Sequence, residues 1–433
     1  MKLSEVKELK DAGKFKEALL WLHAFESQHQ DDPVIMKMVN EWLAESYVRL
    51  DNILEGERYY RKLVEADPED AITWCTIETL VREQGRFDEC RIILDHINSL
   101  LPVVSGQINA SLAMLDLAEG QLHTGFIGYE NRFAYRALKE AYSKELYTRW
   151  NGKDSLVGKS VLIRAEQGLG DVLQFSRYAK QFKDAGASSV TVHCKATLHR
   201  IVKTVPGVDE VIQKVTATDS FDYEVMIMSC PALFNTSTDQ DIHGEQYMFA
   251  KSDIWTQRLS GFKKLKVGLV WAGDLKLDLG PDGIRMNVRR SVPLEMLRPL
   301  LDADCDFFSL QKGSPQNDLK SFNGLRKIND FMDDVSDFYD TACLIDNLDL
   351  VIAVDTSTAH LAGAMGKPTW MLHRLDGDWR WFLDREDSPW YDSMKIYRQT
   401  IYKDWHPVIK RIATDLKDLA TGERNDQPRI SIR

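Results

Sequence analysis

The sequence has no apolar run approaching the roughly 18–20 residues that a membrane-spanning helix requires. Its opening, Met1-Lys-Leu-Ser-Glu-Val-Lys-Glu-Leu-Lys10, lacks the apolar stretch of a secretion signal. Cysteine is sparse: Cys75, Cys90, Cys194, Cys230, Cys305 and Cys343 are scattered, with no C-x-x-C pair. That pattern argues against a disulfide frame or a zinc site and for reduced core thiols, so the expected location is cytoplasmic. The ten histidines show no H-E-x-x-H or paired spacing, and no metal is expected. Positive charge is in the minority, 55 Lys and Arg against 66 Asp and Glu, a formal charge of -11. Such a chain is a poor non-specific binder of nucleic acid or anionic membrane. What is present is ordinary for a globular protein, 44% hydrophobic and 28% charged residues. At about 100–200 residues per domain, 433 residues make two or three domains.

The first third repeats itself. Pro33, Pro68 and Pro102 stand 35 and 34 residues apart, Gly85 and Gly120 stand 35 apart, and Gly13 begins the series. Between these marks the apolar positions fall three and four apart, as in Trp42, Leu43, Tyr47 and Leu50, or Trp74, Ile77, Leu80 and Val81. Each helix carries one stripe, and proline is expected to end the second helix of each pair. Period, prolines and aromatics resemble tetratricopeptide repeats of about 34 residues. Such pairs bury their stripes only by stacking, which leaves a concave face. That face serves a recruited partner, or is a stabilising cap or dimer surface, so homo-oligomers remain among the candidate partners.

From Lys159 the texture changes to alternating strand and helix. Ser160-Val-Leu-Ile-Arg164, Ser189-Val-Thr-Val-His-Cys194, Glu210-Val-Ile212 and Tyr223-Glu-Val-Met-Ile-Met228 read as strands, with helices near Phe182 and over 198–205. A second series follows the lysine-rich Phe262-Lys-Lys-Leu-Lys266. Its strands are Val267–Trp271, Asp306–Leu310, Leu348–Val354 and Pro368–Leu372, and its helices are Pro293–Leu301, Phe338–Ile345, Thr358–Met365 and Val408–Leu419. This alternation predicts two doubly wound lobes facing a cleft.

Several strand-to-helix turns could carry chemistry. Val354 leads into Asp355-Thr-Ser-Thr-Ala-His360, where Thr356, Ser357 and Thr358 open a helix whose amino end suits an anion. Any helix start uses Asp, Ser and Thr as caps, so this turn alone reads as an N-cap. Lys312, in Gln311-Lys-Gly313, follows a strand, and Arg289-Arg290-Ser291 is read as a second cationic loop before the Pro293 helix. Glu166-Gln-Gly-Leu-Gly-Asp171 has only Gly168 and Gly170, short of a dinucleotide fingerprint. Asp171 is either a general base or a helix-start acid. Trp379, Trp381, Trp390 and Tyr391 read as packing beneath the cleft, with a platform for stacking on a sugar as the alternative.

Taken together, these residues resemble a known group. Gly170-Asp-Val-Leu173, the cations before the Pro293 helix, Ser309-Leu-Gln-Lys-Gly313 and Asp355-Thr-Ser-Thr-Ala-His-Leu-Ala-Gly-Ala364 resemble bacterial glycosyltransferases of the heptosyltransferase type. Trp150-Asn-Gly152, Asp378-Trp-Arg-Trp381 and Asp387-Ser-Pro-Trp-Tyr391 are similar to the subgroup with N-terminal tetratricopeptide repeats, and the arrangement is distantly similar to protein O-GlcNAc transferases. The 274–288 segment departs from the pattern, with Asn287-Val288 where an Asp-Arg pair belongs.

The resemblance implies an α plus α/β chain of the GT-B type. It would have TPR-like helices over 1–125, a helical linker over 126–158, an acceptor-side Rossmann-like lobe over 159–255, a nucleotide-sugar lobe over 262–420 and a flexible tail over 421–433. It implies an inverting, metal-independent transfer of a sugar from a nucleotide-diphosphate donor to a hydroxyl, with no cofactor and with an acceptor macromolecule recruited by the repeats. Asp171 would be the general base. Arg290, Gln311, Lys312, Asp355, Thr356, Ser357 and His360 would hold the donor, and Glu166, Gln167, Gly168 and Gly170 would face the acceptor. Asp302-Ala-Asp304 has the D-x-D spacing of metal-dependent transferases but falls in a polar loop. The alternatives are a non-catalytic scaffold with a decayed sugar-nucleotide region, or an enzyme acting on a lipid-linked glycan or a modified DNA base.

Overall fold

The computed structural model describes residues 2–101, 106–142, 144–274, 280–322 and 328–422. They form two compact units, Met1–Leu115 and Asp116–Arg433.

In the first unit the helices come in pairs: α1 (Leu3–Asp11) with α2 (Phe15–Gln28), α3 (Pro33–Arg49) with α4 (Ile53–Ala66), and α5 (Ala71–Glu83) with α6 (Phe87–Leu100). The first helix of a fourth pair, α7 (Gly106–Ala118), crosses into the second unit. Each pair turns through a left-handed residue, Gly13 (φ 73°), Gly85 (φ 72°) and, after α7, Gly120 (φ 84°). The second pair lacks a glycine there, and Asp51 takes the position at φ 66°, which explains the gap in the glycine series. Pro33 does not end a helix. It is the first residue of α3, where its missing N–H costs nothing, and the preceding Asp32 caps the Val34 and Ile35 amides. Pro102 lies outside the described residues.

Of the expected stripes Leu43, Ile77, Leu80 and Val81 are buried and Trp42, Tyr47, Leu50 and Trp74 half-buried; Val39, Leu43 and Tyr59 lie in one cluster and Ile77, Val81, Ile93 and Ile97 in the next. Glu57 of α4, also buried, accepts hydrogen bonds from Arg61 (2.7 Å), Gln84 (2.6 Å) and Arg86 (2.8 Å). It thereby ties neighbouring pairs together. Burial opposes its charge, but these donors hold its carboxyl below the usual range.

The second unit begins with α8 (Leu122–Tyr129), a 3-10 turn over Glu130–Ala134 and α9 (Arg136–Tyr142). Two parallel sheets follow. The first holds β1 (Ser160–Arg164), β2 (Ser189–His193), β3 (Glu210–Ile212) and β4 (Tyr223–Met226) in the order β3-β2-β1-β4. Among its helices are α10 (Leu169–Phe175), α11 (Ala179–Asp184), α12 (His199–Val202) and α13 (Cys230–Leu233). A connecting segment carries α14 (Asp253–Leu259).

The second lobe runs β5 (Leu265–Val270), α15 (Gly280–Arg290), β6 (Cys305–Ser309), α16 (Asp318–Ser321), β7 (Ile328–Asp330), α17 (Phe338–Asp346), β8 (Leu350–Val354), α18 (Ser357–Ala364), β9 (Thr369–His373), β10 (Met394–Arg398) and α19 (His406–Thr421). Its sheet order, β10-β9-β8-β5-β6-β7, places the first strand mid-sheet and reverses direction between β5 and β8. Counted within the lobe this is 6-5-4-1-2-3, the doubly wound order, and the first lobe shares its 3-2-1-4 part. The fold class is the one implied: helical repeats, then two Rossmann-like lobes.

Six of these elements were not foreseen in the sequence: β7, β10, α13, α14, α15 and α16. The helix expected over Pro293–Leu301 is a 3-10 helix, Leu294–Asp302, with Pro299 inside it. Proline removes the donor that an α-helical ladder needs there. Residues 423–433, most of the expected flexible tail, lie outside the described residues.

Candidate active site between the two lobes

In the first lobe, buried β1 delivers a turn in which Gln167 adopts φ 61° and α10 begins at Leu169. Asp171 stands in the first turn of α10. Its Oδ2 accepts from the Gly168 amide (2.5 Å) and its Oδ1 from Arg380 Nη2 (2.6 Å), across the lobes. At Gly170 the lobes approach closely: a β-carbon there would lie 2.8 Å from His360 Cδ2. Only glycine fits without a shift.

Glu166 does not face an acceptor. It is 1% exposed and takes both Arg132 Nε (2.9 Å) and Nη2 (2.7 Å) while accepting from the Met228 amide (3.0 Å). A buried carboxylate survives only with such partners, so Glu166 fastens the 130–134 turn to the lobe. Exposed Gln167 exchanges hydrogen bonds with the Tyr129 hydroxyl.

In the second lobe, fully buried β8 ends at half-buried Asp355, the first residue past the strand. Thr356 is the N-cap of α18, and its hydroxyl donates back to the Val354 carbonyl (3.1 Å). No side chain caps α18, so the opening amides keep their affinity for an anion. Arg290 belongs to the last turn of α15 rather than to a loop, which corrects the sequence expectation. Asn287 accepts from its Nε (3.0 Å) and donates to the Gly273 carbonyl (3.2 Å). A β-carbon on Gly273 would lie 2.3 Å from Arg290 Nη2, so glycine opens the space this guanidinium fills. The departure at Asn287 thus becomes a clamp for Arg290.

Burial pushes Arg290 downward, and Asp355 works against that. Asp355 itself is pushed above the usual carboxylate range, first by burial and then by Asp378, with Arg374 and Arg290 opposing. Arg374 follows β9 and is held by the Met286 carbonyl (3.3 Å) and by Asp376 (3.2 Å).

Two expected donor residues have other partners. The buried Gln311 amide accepts from the Trp271 (3.1 Å) and Ala272 (2.9 Å) amides and donates to the Ala272 and Lys312 carbonyls (both 2.9 Å). It stitches the end of β5 to the strand beside it, and these bonds occupy the amide that was expected to hold the donor. Lys312 is exposed, and its Nζ donates to the Met332 carbonyl (2.5 Å).

Arg380 was missed as a functional candidate. It is 5% exposed, donates to Asp378 (2.7 Å) and Asp171, and lies 4.2 Å from the Trp379 ring centroid. The signal was available, since a cation set among tryptophans must find carboxylates or other hydrogen-bond acceptors if it is buried. Arg177 was also missed. It donates to the carbonyls of Ile242 (3.3 Å), His243 (3.1 Å) and Trp390 (2.8 Å) and to the Tyr247 hydroxyl (3.0 Å), with no carboxylate among the described residues within ion-pair distance. The aromatic group packs as expected: Trp381, Trp390 and Tyr391 are fully buried. Asp304 is taken by Lys264 (2.7 Å), and Asp302 stands 3.7 Å from Lys417.

No protein-family model matches the chain. Among curated proteins, Protein FlbA of Caulobacter vibrioides is 28% identical over 426 residues, covering 82% of this chain and 69% of that protein. Among solved structures, a glycosyl transferase family 9 protein from Veillonella parvula is 12% identical with a TM-score of 0.45, covering 62% of this chain and 99% of its own. Escherichia coli ADP-heptose LPS heptosyltransferase II is 12% identical with a TM-score of 0.43, over 61% and 99%. An O-GlcNAc transferase from Thermobaculum terrenum spans 91% of this chain and 95% of its own at 11% identity and a TM-score of 0.26.

Proposed function

We propose that the protein is a glycosyltransferase moving a sugar from a nucleotide-diphosphate donor to a hydroxyl acceptor, with inversion and without a metal. The observation that carries this reading is the meeting of two helix starts, α10 with Asp171 and α18 with Thr356 and Ser357, at the Gly170–His360 contact. Both stand beyond the carboxyl ends of strands in doubly wound sheets, where ligands of such folds bind.

In this scheme Asp171 takes the proton from the acceptor hydroxyl. The freed oxygen bonds to the anomeric carbon as that carbon's bond to the diphosphate breaks, and the nucleoside diphosphate leaves. The amides of α18, Thr356 and Ser357 hold the diphosphate, while Arg290 and Arg374 offset the charge that builds on it. The raised Asp355 carboxyl opposes an anion less than an ordinary aspartate does. Arg380 orients Asp171 by its 2.6 Å hydrogen bond. The repeats recruit the acceptor, a protein in the favoured case.

A thermal-shift panel of nucleoside diphosphates and nucleotide sugars tests the scheme. A true donor at about 100 times its Kd stabilises by about 2.7 kcal/mol, and no shift with any of them refutes it. One observation favours a non-catalytic scaffold instead: both Asp171 oxygens already hold donors, from Gly168 and Arg380. Nucleotide binding with no donor hydrolysis or transfer supports that reading.

A further inference from the structure

His360 is half of a buried pair that the scheme above leaves without a task. Its Nδ1 lies 2.9 Å from the Tyr391 hydroxyl, and Trp381 lies beside the ring at 5.1 Å between centroids. Tyr391 cannot turn away. A β-carbon at Gly363 would lie 2.5 Å from its Cγ, so the helix backbone presses on the ring, and the Arg177 guanidinium stands 5.1 Å from its centroid. Burial raises the phenol well above its ordinary range, so it keeps its proton.

A buried hydroxyl proton needs an acceptor. The neighbouring Tyr247 already donates to the Leu173 carbonyl (2.8 Å) and accepts from Arg177 (3.0 Å). Two acceptors face the Tyr391 hydroxyl: the Tyr247 oxygen, which already accepts from Arg177, and His360 Nδ1, an imidazole nitrogen more basic than a phenol oxygen. Burial, and then Arg380, push His360 down to about 3, so the neutral ring carries a single proton. With Nδ1 accepting, that proton sits on Nε2. Nε2 is 3.9 Å from Asp355 Oδ1, beyond hydrogen-bond reach, and has no nearer acceptor among the described residues.

We propose that Tyr391 is a positioning residue that fixes His360 as the Nε2–H tautomer, so that the imidazole offers a donor to the phosphoryl oxygens of a nucleoside diphosphate at the start of α18. The ligand half of this proposal rests on the functional reading above, and the tautomer half stands apart from it.

The test is ¹⁵N spectroscopy of the full-length chain labelled at histidine, with the His360 signals assigned by their loss in His360→Gln. The wild type is expected to show the Nε2–H pattern, and an Nδ1–H pattern overturns the assignment without recourse to any variant of Tyr391. In Tyr391→Phe the pattern becomes a mixture of tautomers, and an unchanged spectrum overturns the positioning role. ADP and UDP are then titrated separately. The nucleotide that binds is expected to shift the Nε2 signal and to bind Tyr391→Phe about 2- to 10-fold more weakly, the span of one net hydrogen bond. A nucleotide that binds without moving Nε2 overturns the ligand half and leaves the functional reading standing, whereas no binding by any nucleotide of the thermal-shift panel brings down both; the Tyr391–His360 tautomer is judged by the first spectrum alone.

Discussion

The two lobes share the strand order 3-2-1-4 and yet present opposite chemistry where they meet. The amino lobe brings an acid, Asp171, and its arginine near the turn, Arg132, is turned inward onto Glu166. The carboxyl lobe brings hydroxyls at the start of α18, Arg290, Arg374 and Arg380, and a neutral imidazole. Topology fixes where a ligand can sit in both halves, but the loops decide what each half does with it. Under the proposed scheme the contrast becomes a division of labour, with the proton assigned to the amino lobe and the anion to the carboxyl lobe.

The sharpest way to break that division is Asp171→Asn. The expected loss is about 10²- to 10⁴-fold in kcat, with nucleotide affinity by calorimetry unchanged within about twofold. Equal losses in both would erase the distinction between the lobes. The reciprocal change, Arg290→Met, should weaken nucleoside diphosphate binding about 10- to 100-fold, the range for a charge-assisted hydrogen bond. Unchanged affinity would move the anion site away from α15. Gly170→Ala strikes the seam itself. The added methyl meets His360 at 2.8 Å, and denaturant unfolding should show a loss of about 1–3 kcal/mol.

The smallest effect concerns pH. Unfolded His360 takes up a proton near 6.5, while the buried ring refuses one until about 3. Its contribution to stability is complete above 6.5 and drains away as pH falls toward 3. At pH 5.5 the loss is about 1.4 kcal/mol, and His360→Gln should flatten that part of the stability profile. Retention of the full slope in the variant would assign it to another group.

The legible part of the site was the part built from neighbours in sequence. A strand, an acid, three hydroxyl residues and a helix lie within ten residues, so 354–360 could be read directly. Asp171 and Gly170 were legible as a turn, but their partners were not. Arg380 is 209 positions from Asp171, and Arg132 reaches Glu166 across 34. Pairing at such distances depends on packing that periodicity does not encode. Gln311 was misjudged for a related reason: the family resemblance put it with the donor, while its actual partners are the backbone groups of Trp271 and Ala272 just past β5 and the Lys312 carbonyl. In the repeats the period named the pairs correctly, and the missing glycine was supplied by Asp51 in the same backbone conformation.

Arg177 bears on how the molecule can be divided. It rises from the amino lobe, where its Nε donates to the Gln174 carbonyl (2.8 Å), yet its other hydrogen-bond acceptors lie in the 242–247 connection and at Trp390 of the carboxyl lobe. An amino lobe cut free at the connection would leave that cation with the Gln174 carbonyl but without its Ile242, His243, Tyr247 and Trp390 partners, and the other fragment would keep a Trp390 carbonyl with its donor gone. The halves are therefore no more separable than two pages sharing a rivet, and truncations meant to isolate one of them should carry the connection and the 388–391 loop along.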